Sequence, residues 1–219
     1  NFFADHPFRR MDENPDHRFY QQPRLVYHID RTAIDVIGGL YRRLLQPESR
    51  VLDLMSSWVS HLPSDLPLET LTGLGMNAQE LQANKRLTDY CVHDLNANPH
   101  MPFDDHAFDA VICTASVEYL IHPFAVFEEI NRVLKPRGIF AVTFSNRWFP
   151  PKAIHIWSEL HEFERMGLVL EFFLKSDLYI DLHTYSMRGL SRPADDRYAS
   201  QIPFSDPVYA VWGHTRSLP

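Results

Sequence analysis

Short apolar runs alternate with segments of helix length along most of this chain, and that alternation limits its fold more than any other feature. Val51, Leu52, Leu54 and Met55 form one run, as a strand buried on both faces should. Further runs lie at 68–77, 90–93, 108–113, 139–144, 168–174 and 208–212. Between them fall helical patterns. Asp30 caps a helix to about residue 45, with Ile34, Ile37, Tyr41 and Leu44 on one face. Asn77 to Glu80 reads as a capping box for a helix to about 87. Phe127, Ile130 and Leu134 mark a helix over 124–134 that stops at Lys135-Pro-Arg-Gly138, and Gly167 closes another over 153–166. The spacing predicts an α/β fold with a seven-stranded, mostly parallel sheet and helices on both faces. Such sheets bind ligands beyond the carboxyl ends of their strands, where strand order reverses.

Composition bounds what the fold does. The chain has 219 residues, enough for one well-filled domain, and 45% are hydrophobic. Residues 1–24 are polar, aromatic and broken by prolines, and read as an arm packed on a domain formed by 25–219. A net charge of −7 argues against a dedicated nucleic-acid binder. No apolar run approaches the roughly 20 residues needed to span a bilayer. Cys91 and Cys113 both sit in strand-like runs, so buried thiols in a reducing cytoplasm are expected rather than disulfides. The histidines show no zinc-ligand spacing, and no metal is expected.

Three stretches carry a resemblance. VLDLMSS is an apolar strand ending in an acid and a tight loop. PFDDHAFDAVICTASVEYL joins an acidic turn to an apolar strand and a short helical segment. FEEINRVLKPRGIFAVTF is a helix, a Lys-Pro turn and a strand. Together, and in this order, they resemble the class I S-adenosylmethionine-dependent methyltransferase family. The resemblance implies a Rossmann-like sheet with the last strand antiparallel, S-adenosylmethionine across the first strands, and methyl transfer to a small-molecule acceptor. Two departures stand out. The family's Gly-x-Gly-x-Gly is replaced by Leu-Met-Ser-Ser, and the acid expected at the end of the second strand is absent, Leu74-Gly-Met-Asn77 standing there instead.

The resemblance nominates residues one by one, each with a plainer role beside it. Asp53 falls near the methionine end of the cofactor, or is a strand-end acid bonded to loop amides. Met55 and Ser56 carry the loop, where Ser56 and Ser57 supply hydroxyls in place of glycine amides or serve as helix caps. Gly75, Met76 and Asn77 fall at the ribose, with the Asn77 amide oxygen a substitute acceptor for a ribose hydroxyl. Asp94 and Leu95 fall at the adenine, although an Asx turn explains Asp94 equally. Cys113, Thr114 and Ala115 line the end of the fourth strand. Glu118 and Tyr119 fall where relatives place acid–base residues, and His61 lies just past the first loop. Trp58, Trp148, Phe149 and Trp157 are candidates for an aromatic wall beside the sulfonium. The substrate pocket is expected from the arm, residues 145–152 and the insert 177–205. A different class of function competes: a non-catalytic protein of the same fold that binds another ligand or a protein. A dinucleotide dehydrogenase fits less well, because Asp53 stands where that fingerprint needs glycine.

Overall fold

The computed structural model describes residue 3 and residues 6–217. Its elements follow the order α1 (Asp16–Phe19), α2 (Arg31–Leu44), β1 (Arg50–Leu54), β2 (Thr70–Gly75), α3 (Ala78–Ala83), β3 (Asp89–Val92), β4 (Phe108–Thr114), a 3₁₀ turn (Val117–Tyr119), α4 (Pro123–Val133) and β5 (Leu134–Phe144). Then come α5 (His155–Glu159), α6 (Glu162–Ser176), β6 (Tyr179–Met187) and β7 (Val208–Thr215). The seven strands form one sheet in the order β3-β2-β1-β4-β5-β7-β6. The β1 to β5 pairings are parallel, and β7 runs antiparallel to both β5 and β6. The expected fold class is therefore present. Strand order reverses between β1 and β4, which places the cleft where such sheets bind ligands.

Alternation along each strand sorts the core into two layers. Val51 of β1, Ala110 and Ile112 of β4, and Ile139 and Ala141 of β5 pack with Ala33, Ile37 and Tyr41 of α2. Their neighbours Leu52, Leu54, Val111, Cys113, Phe140, Val142 and Phe144 pack against α4 and α6. Burying both faces explains why these strands read as unbroken apolar runs. Asp30 caps α2 as its sequence suggests, its carboxylate accepting from Ala33 N at 3.1 Å.

One expected strand is a helix. Residues 168–174 lie inside α6, where Leu168, Val169, Phe172 and Phe173 are buried at helical spacing. A short apolar run fits a buried strand and a buried helix face equally, so its periodicity misleads. Gly167 lies mid-helix, and α6 ends instead at Asp177 with φ 52°. The missing strand is β6, inside the expected insert. The capping box at Asn77 is half formed. Asn77 Oδ1 accepts from Gln79 N and Glu80 N, but the Glu80 carboxylate turns away to Ser57 Oγ and Arg24 N. Cys91 is half-buried on the edge strand β3, whereas Cys113 is fully buried, and both are free thiols.

The segment before α2 is tied down by charge. Lys152, fully buried, reaches Asp16 at 3.0 Å and Asp12 at 3.1 Å, and donates to Asn14 O at 2.6 Å. Arg10 grips both oxygens of Asp16 at 2.7 and 2.8 Å. These contacts hold residues 16–29 across the carboxyl edge of the sheet, over the cleft.

Candidate functional site

A cavity of about 520 Å³ opens at the carboxyl ends of β1 to β5, a volume ordinary for a small-molecule site. The loop after β1 supplies Met55 to Val59 and His61. The end of β2 and start of α3 supply Leu74 to Asn77 and Glu80, and the end of β3 supplies His93 to Asn96. Thr114 to Ser116, with Tyr119, follow β4, and residues 146–150 follow β5. Asp16, Tyr20, Arg24 and His28 close the cavity from the N-terminal segment, and residues 177–205 contribute nothing to its described wall. The insert is spent on β6 and on a loop behind β5.

The glycine-poor loop turns by other means. Met55 takes the left-handed conformation at φ 56°, as does Ala115 at φ 50° beyond β4. The close approach is relieved from the opposite strand. Ser56 N donates to Leu74 O at 2.7 Å, and a Cβ added to Gly75 would lie 2.2 Å from Ser56 O. Glycine is needed at the end of β2 rather than in the loop itself.

Asp53 stands below the cavity, not on its wall. Its buried carboxylate accepts from Ser56 Oγ at 2.6 Å, so the Ser56 hydroxyl is occupied in holding the loop. Ser57 Oγ donates to Glu80 at 2.6 Å, and Asn84 Nδ2 braces the turn through Ser57 O and Ser60 Oγ. Burial pushes Asp53 up to about 6, against the pull of the Ser56 and Ser60 hydroxyls. Because its folded pKa exceeds its unfolded value near 3.8, the native state binds the extra proton between them. Stability therefore falls as pH rises from about 4 through 6, by roughly 2–3 kcal/mol in all. Asp53→Asn keeps the acceptor for Ser56 and loses the buried charge. It should match the parent's melting temperature near pH 4 and exceed it by several degrees at pH 7.5. Thermal denaturation at the two pH values checks this, and a variant less stable at pH 7.5 would show that the charge is needed in the fold.

The other nominated residues divide between wall and interior. Asp94 Oδ1 accepts from Asn96 N and Ala97 N, which makes the Asx turn and leaves Oδ2 for a ligand. Asn77 has little capacity left: Oδ1 takes two amides, and Nδ2 donates to Tyr20 O and Gln21 O. Glu80 is a wall carboxylate with lone pairs to spare, and reading it as half of a capping box hid it. Cys113 is buried beneath the wall, with its thiol pushed up by burial. Glu118 is fully buried behind Tyr119, with Oε2 unpaired and the carboxyl pushed up to about 7 by burial. Tyr119 lines the cavity, its hydroxyl accepting from Phe149 N at 2.8 Å. His61 also lines it; burial and then His28 press it down to about 4, and its Nδ1 has no partner. Trp58, Trp148 and Phe149 are on the wall, but Trp157 is core, packed on Phe144 at 5.0 Å. No sequence signal marks His28 as a wall residue, whereas Arg147 falls in the stretch 145–152 expected to form the pocket. The described residues hold no cluster suited to a metal and no helix long and apolar enough to cross a membrane.

The family described as Methyltransferase domain matches residues 57–142, which span the cavity loops from β1 to β5. No curated protein matches. The YcgJ protein of Bacillus subtilis superposes with a TM-score of 0.56 at 14% identity, over 85% of this chain and 99% of that one. A putative methyltransferase of Haloferax volcanii, solved with its methyltransferase activator, gives 0.56 at 17% over 86% and 98%. An S-adenosylmethionine-dependent methyltransferase of Thermotoga maritima, described as a possible histamine N-methyltransferase, gives 0.58 at 15% over 83% and 89%. At these identities the structural likeness is one of fold.

Proposed function

We propose, from the premise that the chain belongs to the class I S-adenosylmethionine-dependent methyltransferase family, that it transfers a methyl group from that cofactor to a small-molecule acceptor in the cytoplasm. One observation carries the reading. The cavity runs along the ends of β3, β2, β1 and β4 and continues past β5, so one half suits a cofactor and the other an acceptor.

The donor set fits the cofactor. Asp94 Oδ2 is outside the Asx turn and would accept from an adenine amino group, with Leu95 beside it. Glu80, Ser57 and Asn77 line the cavity beyond β2, where Glu80 would offer a ribose hydroxyl the acceptor that the end of β2 lacks. Met55, Gly75, Met76, Thr114 and Ala115 bring backbone to the wall. Ser56 lines the wall with its hydroxyl turned to Asp53, and Asp53 and Cys113 act from beneath it. When bound, the cofactor supplies an electrophilic methyl on a sulfonium, and the chain supplies orientation and exclusion of water.

Proton handling falls to Tyr119, Glu118 and His61. His61 is neutral above about pH 4 and its Nδ1 has no partner, but so low a pKa makes it a weak base at neutrality. Glu118, near 7, is the better matched proton acceptor by pKa, but it is buried behind Tyr119, which lines the cavity itself. A thiolate or amine acceptor needs neither group.

Titration calorimetry with S-adenosylhomocysteine tests the reading. Micromolar binding is expected, with a melting temperature raised by the cofactor product and unmoved by NAD. At a hundredfold excess over Kd the stabilisation is about 2.7 kcal/mol. No heat and no thermal shift at millimolar ligand would overturn it, and would favour a non-catalytic protein of this fold.

A further inference from the structure

We infer that the acceptor carries an anionic group, a carboxylate or a phosphate monoester, and that Arg147 holds it; this rests on the methyltransferase reading only in calling the ligand an acceptor. Arg147 follows β5 on the cavity wall, in the half away from β1 to β3. Its guanidinium is fixed along one edge. Nε donates to Asp206 Oδ1 at 3.1 Å, and Tyr198 lies under the group at 5.8 Å. Nη1 and Nη2 have no acceptor among the described residues, and the side chain is 38% exposed. Two parallel donors on a pinned planar fork suit a bidentate acid.

The support behind Arg147 is rigid. Asp206 is buried, takes Arg192 Nη2 at 2.6 Å, and accepts from Asp30 N at 3.0 Å. Its own amide donates to Asp30 at 2.6 Å. Arg192, only 2% exposed, also faces Asp30 at 3.4 Å and Asp196 at 3.3 Å. The insert 177–205 thus reaches the site indirectly, by fixing the residue that fixes Arg147.

The other charges on this side are already engaged. Arg24 donates to Phe19 O at 2.9 Å and lies over the Phe19 and Phe149 rings at 4.5 and 5.2 Å. Asp16 is held by Arg10, Lys152 and Asn96. Next to Arg147, the rings of Trp148 and Phe149 line the cavity, Arg165 lying over Trp148 at 4.0 Å, and Trp148 Nε1 is a shielded donor without a partner. The arrangement fits a compact acceptor with an apolar, planar body and one acidic end.

Benzoate, phenyl phosphate and benzyl alcohol are the probes, titrated with and without saturating S-adenosylhomocysteine. At least one acid should bind about tenfold tighter than the alcohol, and the tighter acid identifies the group. Arg147→Gln should erase that preference and leave affinity for S-adenosylhomocysteine unchanged. Arg147→Lys retains charge and the Asp206 contact but not the fork, and should lose the preference severalfold, which serves if the glutamine variant does not fold. Equal affinity for the three probes, no binding of either acid at about 10 mM, or a preference that survives Arg147→Gln overturns the inference. An acid preference in a protein that ignores S-adenosylhomocysteine would instead remove the methyltransferase reading and leave the anion subsite standing.

Discussion

Gly75→Ala should destabilise the protein by about 3 kcal/mol and weaken S-adenosylhomocysteine binding at least tenfold. The added Cβ would sit 2.2 Å from Ser56 O, a backbone atom that cannot swing aside. Ser56 is pinned there by its amide to Leu74 O and its hydroxyl to Asp53, and Gly75 O accepts from His93 N at 2.9 Å. The loop after β1 must back away or the end of β2 must bow, and either moves the cavity wall. Overpacking of this kind typically costs 1–3 kcal/mol and more where backbone is the obstacle. Two glycines in the same chain provide the scale. At Gly73 the new Cβ would meet side-chain ends alone, Leu87 at 2.6 Å and Leu81 at 3.3 Å, and these can shift at lower cost than backbone. At Gly39, inside α2, it meets nothing within 4 Å, so Gly39→Ala should stabilise by up to about 1 kcal/mol. Melting temperatures ordered Gly39→Ala, Gly73→Ala, Gly75→Ala from high to low check the argument. A Gly75→Ala variant as stable as the Gly73 one would mean that the loop after β1 yields to the added methyl.

Lys152→Met should cost about 3 kcal/mol, or roughly 6–12 °C of melting temperature for a chain of this size. Methionine fills much of the same space, so the loss is the charge and its bonds. Asn14 O and Asp12 O lose their donor, and Asp16 keeps only Arg10 and Asn96. The consequence extends beyond stability, because residues 16–28 form one side of the cavity. Amide exchange should quicken across residues 9–20 and stay unchanged in β4 and β5. A variant melting within about 2 °C of the parent, with the segment still protected, would show that packing of its aromatic side chains suffices to hold it.

What the sequence determined follows from local chemistry. The strand–helix alternation specified the sheet, because a strand covered on both faces must be apolar throughout. Asp30 specified the start of α2, because an N-cap is made from residues three apart. The acid of Asp53 and the turn at Asp94 were visible for the same reason. What only the tertiary structure decided is where one residue type fits two environments. Residues 168–174 became helix because Leu168, Val169, Phe172 and Phe173 face a single layer under α4, a fact of packing rather than pattern. Of the nominated site residues, Asp53, Cys113 and Glu118 lie behind the wall, because alternation along a strand says which side a residue takes but not how the loops beyond it close. Glu80, His28 and Arg147 stand on that wall because chain-distant segments meet there: Arg24 against Glu80, Phe149 against His28, and Asp206 against Arg147. Each pairing spans more than fifty residues, a separation over which no local spacing rule carries information.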